Sequence, residues 1–252
     1  MFKSGLVSVT FRNLSVDEIV TKVKECGLSG IEWGSDVHVK PGDIETAKRV
    51  KKLCDDAEIE VFAYGSYYKA GENENPYADF KPVLDTAVAL GAPSIRVWAG
   101  TKWSWRADEA YVERVINDTR IICDMAAEYN IDICYEYHGW SLTDTRFSAV
   151  DTKKLVDREN LKLYWQPNFT LSTEDNLLAV QMVLPYLDNV HVFYWDCCEG
   201  KFPLSDGREL WTRFTDIIKR DGKNHNFMLE FVKDGSLEQL RDDAKTLNEL
   251  LK

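Results

Sequence analysis

The feature that most constrains this chain is a rhythm. Short β-prone runs and longer amphipathic helical patterns alternate from end to end, about eight pairs in 252 residues. Leu6–Phe11 reads as the first strand. Ser15 then caps a helix through Lys24, with Val16, Ile19, Val20 and Val23 on one side and Cys26-Gly27 as the stop. Gly30–Trp33, Glu60–Tyr64, Ser94–Trp98, the run from Ile131, Leu161–Gln166, Asn189–Trp195 and Phe227–Phe231 read as later strands. Between them a helix opens at Asp43, and others cover Phe80–Leu90, Ala107–Tyr129, Ser148–Asp157, Glu174–Leu184, Arg208–Lys219 and Leu237–Leu251. Lys69–Pro76 is a polar loop too long for a simple turn.

Such alternation calls for a parallel sheet, either closed as a (β/α)8 TIM barrel or open and doubly wound. A doubly wound nucleotide fold would carry a glycine-rich turn after its first strand, where S-V-T-F-R-N-L-S stands instead. The expectation is therefore an α/β fold, a single TIM barrel. It spans residues 1–252 as one domain, since no linker or composition break interrupts them.

A hydrophobic fraction of 44% is enough for a large core, and a net charge of -11 argues against nucleic acid, whose phosphates need a basic face. No apolar run reaches membrane-spanning length, and MFKSGLVSVTF lacks the apolar core of a signal peptide. The six cysteines have no C-x-x-C spacing, so reduced thiols in a cytoplasmic protein are expected, with adjacent Cys197–Cys198 a loop detail rather than a redox pair. A homodimer is the expected assembly, because twofold dimers are the commonest.

In a TIM barrel the chemistry sits where strands run out into the following loops. Those places hold Thr10, Arg12, Glu32, His38, Tyr64, Ser66, Arg96, Trp98, Glu136, His138, Gln166, Asn168, His191, Asp196 and Glu230. His225 precedes a strand and reads as a surface residue. Seven tryptophans (Trp33, Trp98, Trp103, Trp105, Trp140, Trp165, Trp195) also fall at strand ends or beyond. Their faces suit the C–H face of a sugar ring, although long loops also need bulky residues to pack.

The sharpest constellation begins in I-D-I-C-Y-E-Y-H-G-W, where alternation puts Cys134, Glu136 and His138 on one strand face. Glu136, Gln166, His191 and Glu230 come from four successive strands, and together could hold one divalent ion such as Mn2+, Mg2+ or Co2+. With both glutamates ionised, such an ion offsets the cost of burying them. Each residue alone has a plainer role. Glu136 or Glu230 could pair with Arg96, His191 could be a hydrogen-bonded core histidine, and Gln166 could brace a loop.

Four motifs carry a resemblance: G-L-S-G-I-E-W at the second strand, C-Y-E-Y-H-G at the fifth, H-V-F-Y-W-D before P-L-S-D-G-R-E-L-W, and F-M-L-E-F at the eighth. Over essentially the whole chain the sequence resembles the xylose isomerase-like TIM-barrel superfamily, the sugar-phosphate isomerase/epimerase group. The resemblance implies one divalent metal on Glu136, Gln166, His191 and Glu230, with Glu136 and Glu230 as the acid–base pair. Two departures stand out. Gln166 takes the place of the family's aspartate, with Phe169 where a histidine follows it. Phe193 takes the place of the seventh-strand histidine, with His191 two residues earlier on the same face. The endonuclease branch, with its multi-zinc site, needs more than the four histidines present.

The activity so implied is proton transfer next to a carbonyl of a keto-sugar, through an enediolate that a metal stabilises. Glu32, His38, Tyr64, Arg96, Trp98, His138, Trp165 and Lys233 are the expected contacts to a small-molecule carbohydrate substrate. A dehydratase or decarboxylase of a sugar acid or inosose-type substrate would share the early steps. A metal-free carbohydrate-binding barrel is the third reading.

Overall fold

The computed structural model describes residues 2–198 and 200–252. Its strands are β1 (Lys3–Val7), β2 (Gly30–Gly34), β3 (Glu60–Lys69), β4 (Ser94–Trp98), β5 (Asp132–Tyr135), β6 (Leu161–Trp165), β7 (Leu187–Val192) and β8 (Asn226–Leu229). The helices that follow them are α1 (Val16–Glu25), α2 (Ile44–Ala57), α3 (Pro76–Leu90), α4 (Glu109–Ala127), α5 (Arg146–Val156), α6 (Thr173–Val183), α7 (Arg208–Ile218) and α8 (Leu237–Leu250). Neighbouring strands pair in parallel and in chain order. β8 closes on β1 from Lys3–Asn226 to Leu6–Leu229, so the molecule is a single (β/α)8 TIM barrel. Among the described residues no helix is long and apolar enough to cross a membrane.

The helix starts follow from local chemistry. Ser15 and Glu18 form a reciprocal capping box, and the side chains of Asp43, Asn75, Asp108, Thr145, Ser172 and Ser236 each accept an N–H of the first turn they precede. Pro76 stands in the first turn of α3, which therefore starts earlier than the expected Phe80. Gly91 ends that helix at φ 68°, a left-handed conformation that glycine adopts without penalty.

Strand boundaries depart furthest from expectation in β1, β3 and β7, and β8 ends at Leu229 instead of Phe231. β1 stops at Val7, and Ser8–Phe11 is a 3-10 turn. There Ser8 Oγ accepts the Gly34 N–H at 2.8 Å, pinning the turn onto β2. β3 runs on to Lys69 instead of ending at Tyr64. β7 ends at Val192 rather than reaching Trp195, because the chain beyond it doubles back.

Strand alternation divides the core in two. Leu6, Ile31, Ile95, Ile133, Leu163, Val190 and Leu229 pack with the helices in one large cluster. Val7, Phe62, Cys134, Tyr164 and Met228 form a separate cluster, one each from β1, β3, β5, β6 and β8, which fills the barrel axis. Phe62 lies across Gly5 and Gly30, and a Cβ on Gly5 would come within 2.7 Å of its ring. This plug floors the space in which the polar strand ends meet.

His225 corrects an expectation. It is buried rather than superficial, bonded to Asp188 O at 2.9 Å and to Asp221 Oδ2 at 3.1 Å, with its ring beside Phe2.

Candidate active site

The alternation that sends Ile31 and Trp33 to the helices turns Glu32 to the barrel axis. The same register brings in Arg96 of β4 and His191 of β7, along with Glu136, Gln166 and Glu230, which directly follow β5, β6 and β8. Glu32 and His191 are 0% exposed, Arg96 3%, Glu136 4% and Glu230 8%, so these charges are compensated by one another rather than by water.

His191 is the hub. Its Nδ1 lies 3.0 Å from Gln166 Oε1, 3.4 Å from Glu230 Oε2 and 3.9 Å from Glu136 Oε1, while its Nε2 lies 3.3 Å from Glu32 Oε2. Tyr164 meets the ring edge-to-face at 5.1 Å. Arg96 Nε donates to Glu32 Oε1 at 2.8 Å, and its Nη1 donates to Glu136 Oε2. Gly65 makes room for this ion pair. A Cβ there would sit 2.5 Å from Glu32 Oε1 and 3.0 Å from Arg96 Nη2.

Burial by itself would lower the pKa of His191, but the carboxylates of Glu230 and Glu32 outweigh it and lift it to about 10. For Glu32 burial alone would act upward, and Arg96 and His191 instead bring it down to about 2. Glu230 is also lowered: burial opposes the shift, and the His191 charge is the main cause of it. Arg96 rises well above its ordinary value, because Glu136 and Glu32 more than offset its burial.

Ligand atoms of Glu136, His191 and Glu230 all lie within 4.8 Å of one another, and the Gln166 amide oxygen borders the same nitrogen. Two carboxylates, an imidazole and an amide oxygen around one point are a fitting donor set for a divalent ion. A proton on His191 Nδ1 sits among oxygens where a larger cation also fits. His191, not Phe193, is the seventh-strand residue that reaches this point. Phe193 stacks on Trp195 at 4.3 Å. The plainer reading of Glu136 is realised as well, since the same carboxylate that borders His191 is paired with Arg96.

Beside the cluster, toward the loops, lies a cavity of about 250 Å3 lined by Trp103, His138, Trp140, Asn168, Trp195 and Cys197, and it reaches Gln166. His138 Nδ1 is bonded to Gly139 O at 2.6 Å, and its ring stacks on Trp98 at 4.7 Å. With Nδ1–H donated to that carbonyl, Nε2 is the ring nitrogen left to meet a ligand.

The other expected substrate contacts are placed elsewhere. His38 is held by Ser8 Oγ at 3.0 Å and Leu14 O at 3.1 Å, in the loop after β2. Tyr64 donates to Val39 O at 2.7 Å in the layer between strands and helices. Trp165 packs there against Trp211 and Phe214. Lys233 lies in the 3-10 turn Lys233–Gly235 after β8, and is not among the residues lining the cavity. Of the seven strand-end tryptophans, Trp103, Trp140 and Trp195 line the cavity, Trp33 and Trp165 are wholly buried outside the barrel, and Trp105 is exposed. Sequence reasoning named Asn168, whose Oδ1 is bonded to Thr170, only as a strand-end residue, and it missed Gly139, which packs under Trp103. Only their place in strand-following loops marked them.

The family model for the xylose isomerase-like TIM barrel matches residues 20–250. A 3-dehydroshikimate dehydratase from Bacillus anthracis is 26% identical over 206 residues, covering 75% of this chain and 70% of that protein. The crystal structure of the probable 3-DHS dehydratase AsbF, also from Bacillus anthracis, superposes with a TM-score of 0.82 at 21% identity, over 98% of this chain and 99% of the other. D-psicose 3-epimerase from Clostridium cellulolyticum H10 superposes with a TM-score of 0.74 at 18% identity, over 99% of this chain and 95% of that one. With the barrel, the strand-end cluster and the family model in agreement, the chain belongs to the xylose isomerase-like TIM-barrel family.

Proposed function

We propose that this protein is a divalent-metal-dependent lyase, a dehydratase that removes a proton beside the carbonyl of a small polyhydroxylated ketone and expels a hydroxyl from the next carbon. The observation that carries this reading is the unequal setting of the two glutamates. Glu136 is tied to the Arg96 guanidinium, whereas the Glu230 carboxylate meets only the His191 ring among the described residues. To take up a substrate proton, Glu136 would have to give up a buried ion pair, which is expensive to break. Glu230 is paired instead with the His191 ring, which can give up its charge by losing a proton, as a guanidinium cannot. Elimination needs one mobile base, which can then return its proton to the departing hydroxyl. Epimerisation needs two bases that trade protons across the substrate.

Glu230 is accordingly the base, and Arg96 holds Glu136 in place. His138 offers Nε2 to a substrate hydroxyl, and Trp103, Trp140 and Trp195 exclude water from the cavity. A divalent ion, when held by Glu136, Gln166, His191 and Glu230, supplies positive charge where the carbonyl oxygen gains negative charge. The similarity to a 3-dehydroshikimate dehydratase supports a cyclic, carboxylated substrate of that kind. An isomerase or epimerase of keto-sugars is the second reading, favoured by the approach of both glutamates to one His191 nitrogen.

The test is to incubate the Mn2+-loaded protein with 3-dehydroshikimate and with a panel of keto-sugars in deuterated water. Water loss from 3-dehydroshikimate leaves a dihydroxybenzoate, detected by its aromatic absorbance. Glu230→Gln should slow that product by about 10²–10⁴-fold. Deuterium entering a keto-sugar with every hydroxyl retained would replace the lyase with the epimerase, and no turnover of any substrate would favour a binding protein.

A further inference from the structure

The loop after β7 doubles back as a narrow hairpin. Phe202 N–H donates to Tyr194 O at 2.9 Å, Asp196 N–H donates to Gly200 O at 3.0 Å, and Trp195 pairs antiparallel with Lys201. Asp196 Oδ1 clasps the turn from within, accepting the N–H groups of Cys198 and Gly200, each at 2.8 Å. At the tip stand Cys197 and Cys198, both exposed, with their sulfurs 3.9 Å apart. Cys197 and Trp195 also line the cavity beside the cluster of Glu136, Gln166, His191 and Glu230.

The other four cysteines are chemically sheltered. Cys54, Cys123 and Cys134 are buried and Cys26 is half-buried. Burial pushes the thiols of Cys54 and Cys123 up to about 11 and about 12, where little thiolate exists at neutral pH. Cys198 is itself raised by Cys197 and Asp196, so access sets the tip pair apart: both thiols stand in water, where a water-borne reagent meets them first.

We propose that Cys197 and Cys198 form a dithiol modification site, which exchange with a small-molecule disulfide closes into a disulfide between adjacent residues at the rim of the candidate substrate cavity. The thiolate of one cysteine attacks the reagent's S–S bond, forming a mixed disulfide and releasing one thiolate. The neighbouring cysteine thiolate then attacks the protein sulfur of that mixed disulfide and displaces the second. Two cysteine S–H bonds are replaced by one S–S bond, both protons pass to the released thiolates, and the reagent takes up two electrons.

Proximity decides between closure and a stalled mixed disulfide. The two sulfurs already sit side by side, so closure requires them to approach to about 2.05 Å without moving any other element. Consecutive Cα atoms lie about 3.8 Å apart, closer than the usual span of about 4.4–6.8 Å across a disulfide. Such a bond is strained and readily reduced, which suits a reversible sensor better than a structural staple. Closing it must also turn the peptide between the two cysteines. That peptide's N–H is the Cys198 donor to Asp196, so the clasp opens and the wall formed by Cys197 shifts.

The experiment exposes the native protein to glutathione disulfide, alkylates it with iodoacetamide and maps cysteines by mass spectrometry, alongside backbone amide exchange. The expected result is a peptide carrying Cys197 and Cys198 that has lost two hydrogens and gained no alkyl group. The Cys198 and Gly200 amides lose protection in the oxidised protein and regain it with dithiothreitol. Cys197→Ser and Cys198→Ser should each stop at one glutathionyl group. A stable glutathionyl adduct on the wild type, a disulfide between two chains, or no reaction at the tip would overturn the site. Ring closure without any change in those two amides would overturn its effect on the rim. None of these readouts depends on which reaction the barrel catalyses.

Discussion

Arg96 shows how much one side chain can settle. Its guanidinium is shared between Glu32 and Glu136 with almost no solvent access, so it neutralises one carboxylate that borders His191 and fixes a second. Replacing it by methionine keeps most of the volume but strands both acids. Arg96→Met should lower unfolding free energy by about 3–5 kcal/mol in urea titrations. A loss under about 1 kcal/mol would mean that the pair is solvated and that the asymmetry assigned to Glu136 is mistaken.

His38 makes a different prediction, because it is tied to structure rather than to the cluster. Ser8 donates to Nδ1 while accepting the Gly34 N–H, and Nε2–H donates to Leu14 O, an arrangement that suits the neutral ring. Burial lowers its pKa below the ordinary 6.5, with Asp36 opposing the shift and Arg12 adding to it. A group that binds protons more weakly when folded is protonated first in the unfolded chain as the pH falls. Its contribution is therefore intact above pH 6.5 and is lost below it, until the folded form protonates too. His38→Gln should flatten the stability–pH curve just below 6.5. An unchanged slope would contradict this account of the histidine.

At the scale of elements, the helix boundaries were the most legible part of the sequence. Ser15, Asp43 and Gly91 announced ends that the structure keeps, because capping is local chemistry. Strand ends were harder, since one residue changes the face. Trp33 follows Glu32 and Trp165 precedes Gln166, so each tryptophan points away from the side its neighbour serves. Tyr64 is paired in register with Trp33 and shares its outward face. His225 was misread because burial by a neighbouring strand end and Phe2 leaves no trace in its own segment. Gly65 belongs to this scale as well. Gly65→Ala should cost about 1–3 kcal/mol by crowding the Glu32–Arg96 pair in the adjoining strands. Thermal unfolding checks it, and a neutral result would show that β3 can shift away.

For the whole molecule, closure of the barrel is what turns four residues spread from position 136 to position 230 into one cluster. The alternating pattern made closure legible, and the barrel rule then named Glu136, Gln166, His191 and Glu230 from their places alone. Two aspects were not legible. The sharing of Arg96 between Glu32 and Glu136 depends on how deep β2, β4 and β5 set these side chains, and the cavity wall comes from loops with no periodic pattern. An ion bound only to the folded barrel should also stabilise it, by about 2.7 kcal/mol at a hundredfold excess over its dissociation constant. Chelation should remove that gain.

The direct measurement is Mn2+ binding to the metal-free protein by isothermal titration calorimetry, run on the wild type and on His191→Ala. The account predicts one ion per wild-type chain and no saturable binding to the variant, whose folded state is checked by circular dichroism. Absence of Mn2+ binding to the wild type, or equal binding by a folded His191→Ala protein, would contradict it.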